Sequence, residues 1–279
     1  MIRCGITGHR GVLGRKIQDI LGYKFYKFNG DIRNTKDIDL WLSKYEFDLI
    51  IHLAAIVPVH FSENNFKMSN DVNYIGTKNL VNLILKKKKK IKWFFFSSTS
   101  HVYPLSKCKK KVNENYKTKP QSKYGLTKLR AEKYIIKKMD GKILYCIGRI
   151  FSYTDIKQSD SYLVPSIYKK ILNTKNNKKI LFLNLNHFRD FISIKDIVYT
   201  IKKLFQKKAN GIFNIGSGNS INLKSIPLIM KKNIKKNVSV EFKNFTEKTY
   251  LIADIRKIKK INIKNKRDIN VILKDFIKR

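Results

Sequence analysis

Thr7-Gly8-His9-Arg10-Gly11-Val12-Leu13-Gly14 is the stretch on which the fold turns. The apolar run Ile2–Thr7 before it has the length of a strand, and Val12–Leu21 after it has the spacing of a helix. Gly8 permits a tight turn, Gly11 lets backbone approach a pyrophosphate, and Gly14 lets the helix pack close to the strand. An anion there would rest on the N–H groups of the helix start. The chain has only 13 glycines, and Gly5, Gly8, Gly11 and Gly14 all fall in this opening segment. Where composition disfavours glycine, such clustering marks backbone geometry that demands it.

Working outward, the first half keeps alternating strand and helix. Lys24–Phe28 reads as a short strand, Thr35–Tyr45 as a helix capped by Thr35, and Asp48–Leu53 as a buried strand. Asp71–Leu85 is an amphipathic helix, Ile91–Ser97 a strand, Gln121–Met139 a long helix, and Lys142–Ile150 closes the series. This order predicts an α/β fold, a Rossmann-like doubly wound parallel sheet with ligands at the carboxyl ends of its strands. After residue 150 the spacing is irregular. Tyr162–Leu172, Ile194–Phe205, Leu223–Lys232 and Ile269–Ile277 read as helices, and Gly211–Ile215 as a strand followed by a GSG turn. Residues 1–150 are therefore expected to form a dinucleotide-binding domain. Residues 151–279 are expected to form a smaller C-terminal substrate-binding lobe, interleaved with segments that return to the sheet.

With 279 residues the chain can bury a large core. Its formal charge of +40 rests on 60 basic residues, of which only ten are arginine. Lysine, asparagine and isoleucine abound while alanine, glycine and proline are sparse, the signature of A/T-rich codons. Most of the charge is thus read as drift displayed on solvated faces, and Lys86–Lys90 as the end of a helix, where cations suit the dipole. Arginine patches interleaved with aromatics are missing, so no specific nucleic-acid partner is expected. Weak attraction of anionic surfaces or substrates fits the charge better. No apolar run is long enough to span a bilayer, and the N-terminal MIRCGITGHRG lacks the apolar core of a secretory signal. Cys4, Cys108 and Cys146 form no CxxC and no even set, which suits reduced thiols in a cytoplasm. No metal site is expected.

Tyr124-Gly125-Leu126-Thr127-Lys128 places a tyrosine and a lysine one helical turn apart on one face. The ammonium favours the phenolate, lowering a tyrosine pKa from about 10 toward working pH. Such a tyrosine can give and take a proton at an alcohol or ketone centre. Ser97-Ser98-Thr99-Ser100-His101 leaves another strand end, where Thr99 is the candidate to hydrogen-bond the reacting oxygen; capping its own turn is its bland alternative. His101 reads more readily as a solvated or structural histidine than as a catalytic one. Strand two ends at Asn29-Gly30-Asp31. An acid at that end grips the ribose hydroxyl of NAD, whereas an arginine suits the phosphate of NADP. Asn29 and Arg10 lean to NADP and leave NAD open, and Asp31 is the candidate acceptor for the adenine amino group. His52-Leu53-Ala54-Ala55 ends strand three with two of the five alanines of the chain, side chains small enough to leave room for a cofactor.

In this order the segments resemble the extended short-chain dehydrogenase/reductase family, in its nucleotide-sugar epimerase/dehydratase/reductase branch. TGHRGVLG is similar to the cofactor loop, HLAA to the strand-three motif, and Asn73-Tyr74-Ile75-Gly76-Thr77-Lys78-Asn79-Leu80 to the NxxGTxNL helix. SSTSHVY resembles the active-site strand and YGLTK the catalytic helix. Arg189-Asp190-Phe191-Ile192, Asn214–Gly218 and Leu251–Asp254 resemble the later RDFI, NIGSG and "aD" segments, so the likeness runs nearly end to end.

The resemblance implies an enzyme with Tyr124 as acid/base, Lys128 lowering its pKa and binding the nicotinamide ribose, and Thr99 polarising the sugar oxygen. It implies NAD or NADP held by Gly8, Arg10, Gly11, Val12, Leu13, Gly14, Asp31, Ile32, Leu53, Ala54, Ala55, Asn73 and Lys128. It implies a nucleotide-sugar substrate met by Ser100, His101, Arg149 and Arg189, with the Arg189 guanidinium suited to the diphosphate. A homodimer through the Asp71–Leu85 and Gln121–Met139 helices is implied as well. Departures bear on the reaction. The family's dehydratases carry Asp-Glu directly after the active-site Thr, where this chain has Ser100-His101, which disfavours water elimination. The RxxNxYGP segment reads Arg149-Ile150-Phe151-Ser152-Tyr153-Thr154, so the sugar-nucleotide pocket is expected to be altered. GHRG resembles the GDP-fucose synthase loop, although the cysteine after that enzyme's serines is absent. The expected function is an NAD(P)-dependent epimerase or 4-keto-sugar reductase serving surface polysaccharide synthesis. A non-catalytic dinucleotide sensor or scaffold of the same fold is the alternative, against which the Thr/Tyr/Lys set argues. A basic nucleic-acid binder on the fold is a further one.

Overall fold

The computed structural model describes residues 1–87, 91–263 and 267–277. The chain opens with β1 (Arg3–Thr7), α1 (Val12–Ile20), β2 (Lys24–Lys27), α2 (Thr35–Lys44) and β3 (Leu49–His52). Next come α3 (Val59–Asn64), α4 (Phe66–Asn70), a π-helical turn at Asp71–Ile75 and α5 (Gly76–Lys86). β4 (Trp93–Thr99), a 3-10 turn at Ser100–Val102, β5 (Lys111–Val112), α6 (Lys123–Met139) and β6 (Tyr145–Ile150) follow. The remainder is α7 (Leu163–Asn173), β7 (Lys179–Leu183), β8 (Phe188–Arg189), α8 (Ile194–Gln206), β9 (Gly211–Ile215), β10 (Ile221–Asn222) and α9 (Ser225–Asn233). It ends with β11 (Ser239–Lys243), β12 (Tyr250–Ala253), α10 (Arg256–Lys260) and α11 (Ile269–Ile277).

Two compact units divide the chain, one built from Met1–Pro104, Lys117–Ile150 and Val198–Asn214, the other from Leu105–Tyr116, Phe151–Ile197 and Ile215–Arg279. In the first unit β2-β1-β3-β4-β6-β9 form one sheet. The β1–β2, β1–β3, β3–β4 and β4–β6 pairings are all parallel. β3, β4 and β6 read as near-continuous apolar runs because helices cover both faces. Ile50, Phe94, Phe96 and Ile147 pack against Trp41 and Leu42 of α2, Leu80, Val81 and Ile84 of α5, and Ala131, Ile135 and Met139 of α6. Strand order reverses at β1, so Thr7 and His52 stand at a topological switch point, the usual ligand crevice of such sheets.

The second unit has its own core. Val164, Ile167 and Ile171 of α7 meet Ile226 and Met230 of α9 and Leu273 and Phe276 of α11. β7 and β11 pair in parallel, and β10-β8-β12-β5 make a second small sheet. Asp190, with no exposed surface, is the pin of this unit. It accepts from Ser217 N at 2.7 Å, Ser217 Oγ at 2.6 Å, Gly218 N at 2.8 Å and Ala253 N at 3.1 Å. Burial pushes its carboxyl pKa up, and those donors pull it back.

Several boundaries differ from expectation. Asn34, not Thr35, caps α2, its side chain accepting from Lys36 N. The Asp71–Leu85 helix begins with the π turn. Of Lys86–Lys90, Lys86 ends α5 and Lys87 caps it, and the other three lie outside the described residues. β7 alternates exposed and buried positions and β11 exposed and half-buried ones, a pattern hidden in the sequence by flanking lysines and asparagines.

Candidate active site

The glycine turn is built for close approach. Gly8 sits at φ 68°, and a Cβ there would lie 2.7 Å from the Ala54 nitrogen. A Cβ on Gly14 would lie 2.4 Å from the Gly8 carbonyl oxygen, while Gly11 has only that same oxygen near it, at 3.3 Å. Gly11 is the N-cap of α1 and carries no side chain to cap it, so the first-turn N–H groups depend on another acceptor. Gly8, His9, Arg10, Asn29, Asp31 and Arg33 line a cavity of about 350 Å³, with Phe28, Gly30, Ile32, Ala54, Met68 and Val72. His9 Nδ1 is buried with no hydrogen-bond partner beside it. Arg10 reaches Asn29 Oδ1 at 3.4 Å. Asp31 is exposed and engaged by Arg33, which holds its carboxyl below the usual range.

Thr7 links this turn to β3. Its Oγ1 lies 2.7 Å from His52 Nδ1 and accepts from Leu53 N and Ala54 N at 3.2 Å. His52 Nε2 lies 2.8 Å from Thr77 Oγ1, and burial lowers its pKa to about 3, so the ring is neutral. Of the expected loop residues, Val12, Leu53 and Ala55 are half-buried, whereas the Leu13 and Ile32 side chains belong to the core.

Thr99, Tyr124 and Lys128 all fall in the first unit, and all are buried. Thr99 ends β4 and its Oγ1 accepts from His101 N at 3.2 Å. That contact caps the turn with an acceptor lone pair, and the hydroxyl proton remains a donor. Ser122 caps α6, accepting from Gly125 N at 3.1 Å. Lys128 lies one turn beyond Tyr124, with Nζ 4.1 Å from the centre of the Phe96 ring. Burial lowers its pKa to about 7, opposed by Glu132. The exposed His101 ring lies edge-on to Tyr124, centroids 5.9 Å apart, and Ser100 is buried in the 3-10 turn.

Two residues expected at ligands are buried and bonded within the protein. Asn73, expected at the cofactor, has no exposed surface. Its Oδ1 accepts from Ile56 N at 2.7 Å and its Nδ2 donates to Ile56 O and Thr127 Oγ1 at 3.0 Å, so it braces the π turn against α6. Arg149, expected at the substrate, is 3% exposed and forks Glu132. Arg189 lies in the second unit, half-buried, donating to Phe188 O, Thr249 O and Thr249 Oγ1. Burial lowers its pKa to about 10.

Two residues that accompany the candidate set were not singled out from the sequence. Gly125 is one: a Cβ there would lie 2.4 Å from the His101 carbonyl oxygen, so glycine lets the helix start touch the turn after Thr99. Glu132 is the other, and its signal was available: it continues the four-residue spacing of Tyr124 and Lys128. Among the described residues no group of His, Cys, Asp and Glu side chains suits a metal ion, and no helix is long and apolar enough to cross a membrane.

Residues 13–276 match the family described as GDP-mannose 4,6 dehydratase. A GDP-6-deoxy-D-talose 4-dehydrogenase of Aggregatibacter actinomycetemcomitans is 29% identical over 222 residues, 76% of this chain and 74% of that protein. RMD from Pseudomonas aeruginosa, solved with NADPH, has a TM-score of 0.89 at 19% identity, covering 99% of this chain and 98% of its own. UDP-glucose 4-epimerase of Thermus thermophilus, solved with NAD, has a TM-score of 0.87 at 15% identity, covering 99% of this chain and 97% of its own. At those identities the two structural matches establish the fold.

Proposed function

The chain belongs to the GDP-mannose 4,6-dehydratase family, in the nucleotide-sugar branch of the extended short-chain dehydrogenases/reductases, and from that premise we propose that it is an NADP-preferring 4-keto-sugar reductase acting on a nucleotide sugar. The observation that carries this is the buried Thr99, Tyr124 and Lys128 set in the same unit as the glycine cradle. The cradle fits a dinucleotide: two glycines admit no Cβ, α1 lacks a side-chain cap, and a buried His9 nitrogen lacks a partner.

Bound NAD(P)H supplies a hydride to a carbonyl carbon. The protein's own residues manage the oxygen. Thr99 donates a hydrogen bond to it, and Tyr124 delivers the proton that completes the alcohol. Lys128 stabilises the phenolate left behind. Ser100 and His101 offer no carboxylate pair for expelling water, which argues against dehydration. Asn29, in place of an acid at the end of β2, and Arg10 and Arg33 on the cavity wall favour the extra phosphate of NADP. The nearest acid, Asp31, is already paired.

An epimerase is the second reading, favoured by the likeness to a UDP-glucose 4-epimerase solved with NAD. Denaturing the purified protein and identifying any released dinucleotide separates the two. Cofactor-free protein that consumes NADPH with a 4-keto-6-deoxy nucleotide sugar supports the reductase. Stoichiometric NAD, with no net consumption during turnover of UDP-glucose, supports the epimerase. A homodimer through α5 and α6 belongs to the same proposal, and sedimentation showing only monomer would refute it.

A further inference from the structure

A buried polar cluster lies behind the catalytic set. Tyr124, Lys128 and Glu132 are spaced four apart and stack along one stripe of α6. Glu132 is the only acid of that helix and is 1% exposed. Arg149 of β6 grips it, Nη2 donating to Oε2 at 2.8 Å and Nε reaching both carboxylate oxygens at 3.2 Å. The Ser98 hydroxyl, on the residue before Thr99, donates to Glu132 Oε1. Arg149 Nη1 donates to Tyr103 Oη at 2.9 Å, and Tyr103 Oη donates to Asn214 Oδ1 at 2.8 Å. These bonds join α6 to β4, β6 and β9. Desolvating such a pair is costly, and packed apolar residues of like volume often serve stability as well or better. In a chain with ten arginines, a fully engaged one spent on this pair points to position rather than stability.

We propose that Glu132 is a positioning residue, on the reading of Thr99, Tyr124 and Lys128 given above, that locks the strand end bearing Thr99 to the helix bearing Tyr124 and supplies the counter-charge for the Lys128 ammonium. Burial drives Lys128 toward the neutral amine, and the Glu132 carboxylate opposes this. Two other groups that meet Lys128 bring no negative charge. His52 of β3 is neutral and Phe96 of β4 offers only a ring face. Arg149 holds the carboxylate in place.

The test follows the lysine side chains by NMR in protein carrying ε-¹³C-lysine. In the wild type one resonance titrates near pH 7, where Lys128 is set to about 7, and it is missing from Lys128→Met. In Glu132→Gln that midpoint moves to lower pH. Because a lone substitution strands the Arg149 charge, the double variant Glu132→Gln/Arg149→Met is measured beside it. There melting recovers toward wild type while the Lys128 midpoint stays displaced. Turnover falls toward ~10²-fold in both, with NADPH affinity retained. A midpoint unchanged in the folded double variant overturns the proposal, as does a wild type with no lysine titrating near neutrality. The titration needs no substrate. A wild type that turns over no sugar nucleotide would sink the functional reading and leave the positioning result standing.

Discussion

Gly8 shows how one residue couples fold to chemistry. Its left-handed backbone and the Ala54 main chain 2.7 Å from any added Cβ make it intolerant of every other side chain. Gly8→Ala is expected to destabilise the chain by roughly 1–3 kcal/mol and to abolish dinucleotide binding. Urea unfolding and NADPH fluorescence titration check the two effects, and unchanged binding would remove the cradle from the site. Arg10 is the opposite kind of residue, exposed and replaceable. Arg10→Ala should weaken NADPH while leaving NADH and stability nearly unchanged, because only the phosphate is lost as a partner. Equal weakening of both cofactors would refute the NADP preference.

Among the elements, α6 carries most of the candidate site. Ser122 caps it, Tyr124, Lys128 and Glu132 line one stripe, and Gly125 lets its first turn rest on the His101 carbonyl. Gly125→Ala must push the helix and the Thr99 turn apart. Overpacking of this kind costs about 1–3 kcal/mol, and a misplacement near 1 Å lowers turnover up to about 10²-fold. Circular dichroism and steady-state kinetics on that variant should show a folded, slow protein; wild-type turnover would mean the contact is slack. The helix, its tyrosine and its lysine were legible in the sequence because spacing alone places them on one face. Glu132 was legible by the same rule and was passed over. The internal partners of Asn73 and Arg149 were not, because they are distant in sequence: Ile56 and Thr127 for one, Glu132 and Tyr103 for the other. The strands of the first unit were read to within three residues at each end, most easily where buried parallel strands are apolar runs. β5, β8 and β10 are two-residue strands with no periodicity to read.

Across the whole molecule, buried ionisable groups set the response to pH. His52 has its pKa lowered from 6.5 to about 3. Between those values the unfolded chain binds a proton that the folded chain refuses, so stability falls as pH drops through that window. His52→Gln should flatten this slope in urea midpoints taken at successive pH values; an unchanged slope would assign it to other groups. Lys128, lowered from 10.5 to about 7, acts likewise at higher pH: stability rises between those values as the unfolded chain gives up its extra proton. Lys128→Met is therefore expected to raise the melting temperature of the cofactor-free protein at neutral pH while abolishing turnover. A destabilised variant would contradict burial as the cause. Everything proposed for the site depends on Tyr124 acting as the proton donor of a hydride-transfer enzyme. The most direct test measures Tyr124→Phe for NADPH affinity and for turnover with a 4-keto-6-deoxy nucleotide sugar. The predicted result is unchanged affinity with turnover reduced about 10²–10⁴-fold; near-normal turnover would contradict that role.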